Sequence, residues 1–222
     1  MLKILKECDK PYTAFEEAVI RRIERIIFKV FETIPNRFEI IRFKHANPDD
    51  NNCPAYSEAF REDPNNLYGR YFGECHFMTI NIDNMIKESD RLSDEYFEIC
   101  KDVAEKLNEP VSNFDINSVM DDVKHTVVLY TIVHEIMHSL TFTDNDILGC
   151  DYTVGDISSY NQYRKTIELL VDMRTAEFIR DNAKNEEFVN ASGCKRIVDP
   201  VIQMQLNFSR ENISTPFCLG AK

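Results

Sequence analysis

The chain of 222 residues is long enough to bury a full hydrophobic core, and its composition, 43% hydrophobic and 29% charged, is typical of a globular protein. Only 6 glycines and 8 prolines leave few residues for tight turns, which favours a helix-rich fold. The net charge of −12 argues against nucleic acid and against an anionic membrane surface as partners, because both bind basic faces.

The seven cysteines bear on the cellular compartment. They are scattered, their number is odd, and no two form a C-x-x-C pair, which predicts reduced thiols. The first eight residues contain no apolar run of the kind found in signal peptides, and no segment reaches the ~18 apolar residues of a membrane span. We therefore expect a cytoplasmic protein.

The first part of the chain is predicted to hold one helix and two extended runs. A capping-box pattern at Thr13 precedes apolar residues at helical spacing and predicts a helix over 13–34. Extended runs cover 38–44 and 71–82, the second being the best strand candidate of the chain. The segment 46–68 is polar and rich in proline, which predicts a long loop or flap.

The second part of the chain is predicted to be mostly helical. Apolar residues recur there at helical spacing in several segments separated by polar stretches. The predicted helices cover 93–108, 118–141 and 159–184, with a linker at 110–117 and an acidic turn region at 143–159. A last short element is predicted at 200–208.

One pentapeptide has the pattern of a metal site. His134-Glu135-Ile136-Met137-His138 is an H-E-x-x-H sequence inside the predicted helix 118–141. Residues four apart share one face of a helix, so both imidazoles can bind a single zinc ion. Glu135 then lies beside the open side of the metal, where it can act as general base on a zinc-bound water.

The alternative interpretation is a core helix that carries two histidines by chance. The flanking residues 131–133 and 139–140 contain neither a charge nor a proline. Burying Glu135 in such a helix without a metal or another cation would cost several kcal/mol or force its protonation. The motif therefore favours a catalytic zinc site bound by His134 and His138.

A catalytic zinc requires a third protein ligand, and no histidine follows His138. Our first choice is Glu168, which shares a helix face with Asp172, so that Glu168 can bind zinc while Asp172 accepts the N–H of a ligand histidine. Asp172 as the ligand stays open, and so does a solvated acidic helix face without a metal. Other donors within reach lie in the preceding loop: Asp144, Asp146, Cys150, Asp151 and Asp156.

The order of these motifs resembles that of the gluzincin metallopeptidases and is similar to the ImmA/IrrE group of intracellular zinc peptidases. In that group a strand ending in an apolar residue and asparagine precedes the H-E-x-x-H helix, as 76–81 does here. A later helix supplies a glutamate, a second acid, and then small and aromatic residues, matched here by Glu168, Asp172, Ala176 and Phe178. The resemblance covers residues 73–82 and 118–180.

Two features depart from this pattern. Many relatives have a small residue near the second histidine, where this chain has Met137-His138-Ser139. Gluzincins often carry a further histidine that stabilises the transition state, and none follows here. We therefore expect a tyrosine, Tyr163 or else Tyr160, to donate a hydrogen bond to the oxyanion.

The resemblance implies an α+β, zincin-like fold, helix-rich, with a small mixed sheet whose edge strand flanks the H-E-x-x-H helix. It implies one metallopeptidase domain over 1–222, divided into an N-terminal helix and flap region at 1–72, a catalytic core at 73–184 and a C-terminal extension at 185–222.

The activity that the resemblance implies is zinc-dependent hydrolysis of protein or peptide substrates, with Glu135 as general base and Tyr163 as a second catalytic group. The strand 71–82 is expected to be the sheet edge to which a substrate adds as a further strand. Two alternatives stay open: a catalytically silent zincin-fold component of a larger assembly, and a non-peptidase zinc hydrolase with the same ligands. The intact Glu135 argues against the silent component.

Overall fold

The computed structural model describes residues 2–7, 10–47, 52–59, 75–110, 116–141 and 157–211. Within these ranges the backbone alone is described at 58–59, 75–76, 117–118, 141, 157–166 and 208–211. The described residues form an α+β, helix-rich fold with six helices and one mixed sheet of four strands. The predicted fold class is confirmed at this level.

The sheet combines three parallel strands with one antiparallel strand. Its members are β1 (Lys3–Lys6), β2 (Ile40–Lys44), β3 (Ala55–Ala59) and β4 (Cys75–Asn81), and they lie in the order β1-β2-β4-β3. Strands β1, β2 and β4 run parallel, and β3 pairs antiparallel with β4. One face carries fully buried side chains at Ile41, Phe43, Met78 and Ile80, which face the core.

Two predictions about this sheet are wrong. The segment 46–68 was expected to be a loop or flap, yet it contributes β3. The strand within 71–82 was expected at the sheet edge, yet β4 lies between β2 and β3. The edge strand that packs on the H-E-x-x-H helix is therefore β3.

The helices are α1 (Ala14–Phe31), α2 (Ile82–Leu107), α3 (Ile116–Thr141), α4 (Ile157–Asn182), α5 (Glu186–Ser192) and α6 (Asp199–Glu211). The predicted helices 13–34, 118–141 and 159–184 agree with α1, α3 and α4 to within three residues at each end. The predicted start at 93 is wrong, because α2 begins at Ile82, directly after β4. Helix α5 was not predicted.

The start of helix α1 and its buried face both follow from its sequence. Thr13 Oγ1 accepts a hydrogen bond from the backbone N–H of Glu16, and Glu16 Oε2 accepts one from Thr13 N–H, which completes the predicted capping box. Six apolar residues at helical spacing form its buried face: Val19, Ile20, Ile23, Ile26, Ile27 and Val30. Burying each of them stabilises the fold by about 1.5–3 kcal/mol.

Helix α3 lies between two clusters of buried side chains. The larger cluster joins α1, the sheet and the second half of α3, including Leu129, Ile132 and Ile136. The smaller cluster joins α2, α6 and the first half of α3, including Val123 and Val127. Helix α3 is thus held on several sides, and the motif at its second half has a fixed position.

The cysteines differ from one another in their bonding. Cys53 is disulfide-bonded, so the prediction of reduced thiols is wrong at this position. Cys100 and Cys194 are free thiols, and Cys194 is buried. No helix in the described ranges is long and apolar enough to cross a membrane.

Candidate metal centre

The second half of α3 brings the two motif histidines to one place. His134 and His138 lie one helical turn apart, with their ring centroids 4.7 Å from each other and their planes at 84°. Ile136 and Met137, between them, are buried in the core and hold the helix in register. Both imidazoles are consequently directed to the same point.

Three donor atoms converge at that point. His134 Nε2 and His138 Nε2 are 3.0 Å apart, and Glu168 Oε2 of α4 lies 3.4 Å from each of them. Ligand atoms held about 2.0–2.1 Å from a tetrahedral zinc ion stand about 3.3 Å from one another. The separations therefore fit one zinc-sized ion, although other divalent metals take similar ligands.

A bound cation would also explain why the Nε2 atoms of His134 and His138 lie so close to each other. Two neutral imidazole nitrogens that both present lone pairs repel, and a carboxylate oxygen beside them has only lone pairs to offer. A cation placed among the three atoms uses all three lone pairs at once. His134, His138 and Glu168 form a group that could hold a metal ion.

Asp172 lies on the far side of His134. Its Oδ1 is 2.8 Å from His134 Nδ1 and accepts a hydrogen bond from the Tyr130 hydroxyl at 2.9 Å. Asp172 is 2% exposed, so these contacts replace water as its partners. A carboxylate at this distance favours the tautomer with the proton on Nδ1, which leaves Nε2 to bind a metal, as is usual for metal-binding histidines. Glu168 is thus the acid close to both Nε2 atoms, and Asp172 is close to Nδ1 of His134.

The electrostatic field of the site favours positive charge. Burial by itself lowers the pKa of His134, but the carboxylates of Asp172, Glu168 and Glu135 outweigh it and raise that pKa well above its usual value. Burial raises the pKa of Glu168, but the two imidazoles outweigh it and lower that pKa. The same carboxylates would stabilise a metal ion in place of the proton.

Glu135 is held beside the metal ligands by the edge strand. It is 5% exposed, and burial raises its pKa although His138 and His134 act in the opposite direction. Ser57 of β3 donates a hydrogen bond from Oγ to Glu135 Oε2 at 2.7 Å and also lies 3.0 Å from the Glu135 carbonyl oxygen. Ser57 was missed in the sequence because nothing in the polar segment 46–68 indicated that it pairs with β4.

Several other predicted residues lie outside this description. Tyr160 and Tyr163 belong to α4, but their side chains are outside the described residues. The loop donors are outside them as well: Asp144, Asp146, Cys150, Asp151 and Asp156.

Comparison of the chain with protein-family models, with curated proteins and with solved structures finds no match. The case for its function accordingly depends on the residues described above.

Proposed function

We propose that this protein is a zinc-dependent metallopeptidase of zincin-like, gluzincin type. The observation that carries the proposal is the convergence of His134 Nε2, His138 Nε2 and Glu168 Oε2, with the buried carboxyl group of Glu135 next to them. A chance pair of core histidines would not account for a carboxylate from a separate helix at 3.4 Å from both. The resemblance to the ImmA/IrrE group supports the same activity.

The residues divide into those that bind and those that move a proton. His134, His138 and Glu168 would hold the zinc ion, and Asp172 would orient His134 through Nδ1. When bound, zinc supplies a Lewis acid that activates water and polarises a peptide carbonyl group. Glu135 would accept a proton from the attacking water and return it to the leaving nitrogen. Burial raises the pKa of Glu135, which makes its carboxylate a stronger base than an exposed one.

The edge strand β3 supports a peptide as the substrate. Asn81 N–H donates to the carbonyl oxygen of Pro54 at 2.9 Å, and Ala55 and Ser57 pair with Ile80 and Met78. Because hydrogen-bonded and non-bonded pairs alternate in an antiparallel ladder, the backbone groups of Ala55 and Ser57 point away from β4. Among the described strands none pairs with that edge. An extended peptide can add there, beside Glu135.

The test separates metal binding from turnover in two matched variants. Purified protein, His138→Ala and Glu135→Gln are compared for zinc content by mass spectrometry and for cleavage of a peptide library. We expect His138→Ala to lose the metal ion of this centre. Glu135→Gln should keep the metal and lose about 10²–10⁴-fold in cleavage rate, because it has no carboxylate to take the proton.

Three results would contradict the proposal. Unchanged zinc content in both His138→Ala and Glu168→Ala would show that these residues do not hold a metal. Cleavage by Glu135→Gln at the wild-type rate would show that the activity comes from elsewhere. Zinc binding without cleavage of any peptide would favour the silent component of an assembly.

A further inference from the structure

A second cluster of metal-binding side chains lies on α3, about two and a half turns before His134. Asp122 and His125 are three residues apart on one face of the helix, and Cys194 joins them from the turn after α5. One donor atom from each of the three lies within 4.8 Å of the other two. Carboxylate, imidazole and thiolate are the groups that bind zinc in proteins.

Two of the three side chains are buried, and His125 is partly exposed. Asp122 and Cys194 are each 4% exposed. Cys194 Sγ lies 3.8 Å from Thr126 Oγ1 and 3.9 Å from the carbonyl oxygen of Asp122. Neither contact is a strong hydrogen bond. Among the described residues the buried sulfur therefore has only weak hydrogen-bond partners.

Hydrogen bonds tie the two ligands on α3 to the turn that carries the third. His125 Nδ1 lies 2.7 Å from the carbonyl oxygen of Gly193, and Asp122 Oδ1 accepts the backbone N–H of Lys195 at 2.6 Å. Metal ligands are ordinarily held by second partners in this way. These contacts use one ring nitrogen of His125 and one oxygen of Asp122, and each side chain has a second donor atom.

The charges around the cluster also suit a divalent ion. Arg22 of α1 interacts with Cys194 and with Asp121, and its buried Nε has no hydrogen-bond partner among the described residues. Its charge opposes a further cation. Once Cys194 is deprotonated, however, its thiolate and the carboxylate of Asp122 give the cluster two negative charges, which match a divalent ion. The thiolate also gives Arg22 a counter-charge.

We propose that Asp122, His125 and Cys194 form a structural zinc site, separate from the candidate catalytic centre, that fastens the turn between α5 and α6 to α3. A water molecule or a backbone oxygen completes the four ligands usual for zinc. Because the thiol and the carboxylate are buried and come from separate elements, the ion would stabilise the fold by joining them. Its ion links residues 69 positions apart in the chain, from His125 to Cys194.

Cobalt distinguishes the two sites, because only this one contains sulfur. Metal-stripped protein is titrated with Co²⁺ and followed by its near-ultraviolet absorption, where a thiolate bound to Co²⁺ gives a charge-transfer band. We expect two Co²⁺ per chain and a clear band for the wild type. His138→Ala should bind one ion and keep the band, whereas Cys194→Ser should bind one ion and lose it. Cys100→Ser, at a second cysteine that is free among the described residues, is the matched control and should behave as the wild type.

The proposal is overturned if the wild type shows no band, or if the band persists in Cys194→Ser. If circular dichroism shows that Cys194→Ser does not fold, the His125→Gln variant tests the site instead. This variant keeps the thiol and should bind one Co²⁺ fewer than the wild type; binding of both ions would refute the site. None of these readings requires peptidase activity, so failure here is distinct from failure of the proposed catalytic function.

Discussion

At the scale of single residues, the candidate metal centre depends on an acid that is not one of the three proposed ligands. Asp172 is shared between the Tyr130 hydroxyl and Nδ1 of His134, and it is almost fully buried. This contact fixes both the ring orientation and the tautomer of His134. The same carboxylate strengthens the imidazole as a ligand by stabilising positive charge upon it.

Replacing Asp172 should therefore weaken metal binding without removing a ligand. We expect Asp172→Asn to lower the zinc affinity about 10–100-fold, because asparagine keeps the shape but not the charge. Competition with a chromophoric chelator measures the affinity. Asp181→Asn, an exposed acid on the same helix, is the control and should leave the affinity unchanged. Equal affinities for wild type and Asp172→Asn would remove Asp172 from the metal centre.

At the scale of elements, the turn after α5 is shaped by a glycine. Gly193 ends α5 with φ of +80°, and a Cβ built there would lie 2.8 Å from Arg22 Nε and 3.5 Å from His125 Nδ1. The left-handed conformation suits glycine, and the side chains of Arg22 and His125 occupy the space around it. The turn therefore has little freedom to move away from α3.

The substitution Gly193→Ala should destabilise the fold. The backbone conformation alone costs about 1–2 kcal/mol for alanine, and displacement of Arg22 adds to it. Chemical denaturation at fixed pH measures the loss. Asn108, which ends α2 with φ of +54°, offers the opposite substitution: Asn108→Gly should leave the stability unchanged or raise it slightly. A fully stable Gly193→Ala would mean that the turn tolerates rearrangement.

The elements differ in how far their sequences predict them. Helices α1 and α3 were predicted because apolar spacing, and in α1 the cap, agree over four or more turns. The five residues of β3 were missed because Ala55, Ser57 and Glu58 have no strand preference of their own, and the strand exists because β4 pairs with it. The start of α2 was missed because no turn residues separate it from β4.

The residues of the candidate site also divide into those that the sequence predicts and those that it does not. The histidines, Glu135, Glu168 and Asp172 were named from spacing, because helix geometry alone decides which of them share a face. Ser57 and the meeting of Asp122 and His125 with Cys194 depend on how distant segments pack, which spacing does not reveal.

At the scale of the whole molecule, the stability of the metal-free protein and that of the zinc-loaded protein should change with pH in opposite directions. Burial lowers the pKa of His134 but nearby carboxylates raise it above its unfolded value of about 6.5. In metal-free protein the protonated imidazole therefore stabilises the fold below that pH, and the contribution is lost as the pH rises through the folded pKa. Metal binding requires the neutral imidazole, so the metal-loaded protein should gain stability over the same range.

Thermal unfolding of metal-stripped and zinc-loaded protein from about pH 6.5 upward tests this expectation. The melting temperature should fall with pH in the first sample and rise in the second. Metal-stripped His134→Gln, which has no imidazole to titrate, should lose most of the fall. Parallel curves for the two wild-type samples would contradict the expected role of His134.

Helix α3 is enclosed by two apolar clusters, and this has a consequence for how the proposed ion would be acquired. The imidazoles are aimed by packing that exists before any metal arrives, so capture of the ion requires little ordering of the chain. Small zinc-nucleated domains behave differently, because they fold only as they bind. In this protein the ligands should already be in place before the ion binds, so the rate of exchange should depend on how easily the ion reaches the site. The metal-free protein should stay folded and bind the ion whenever its concentration rises.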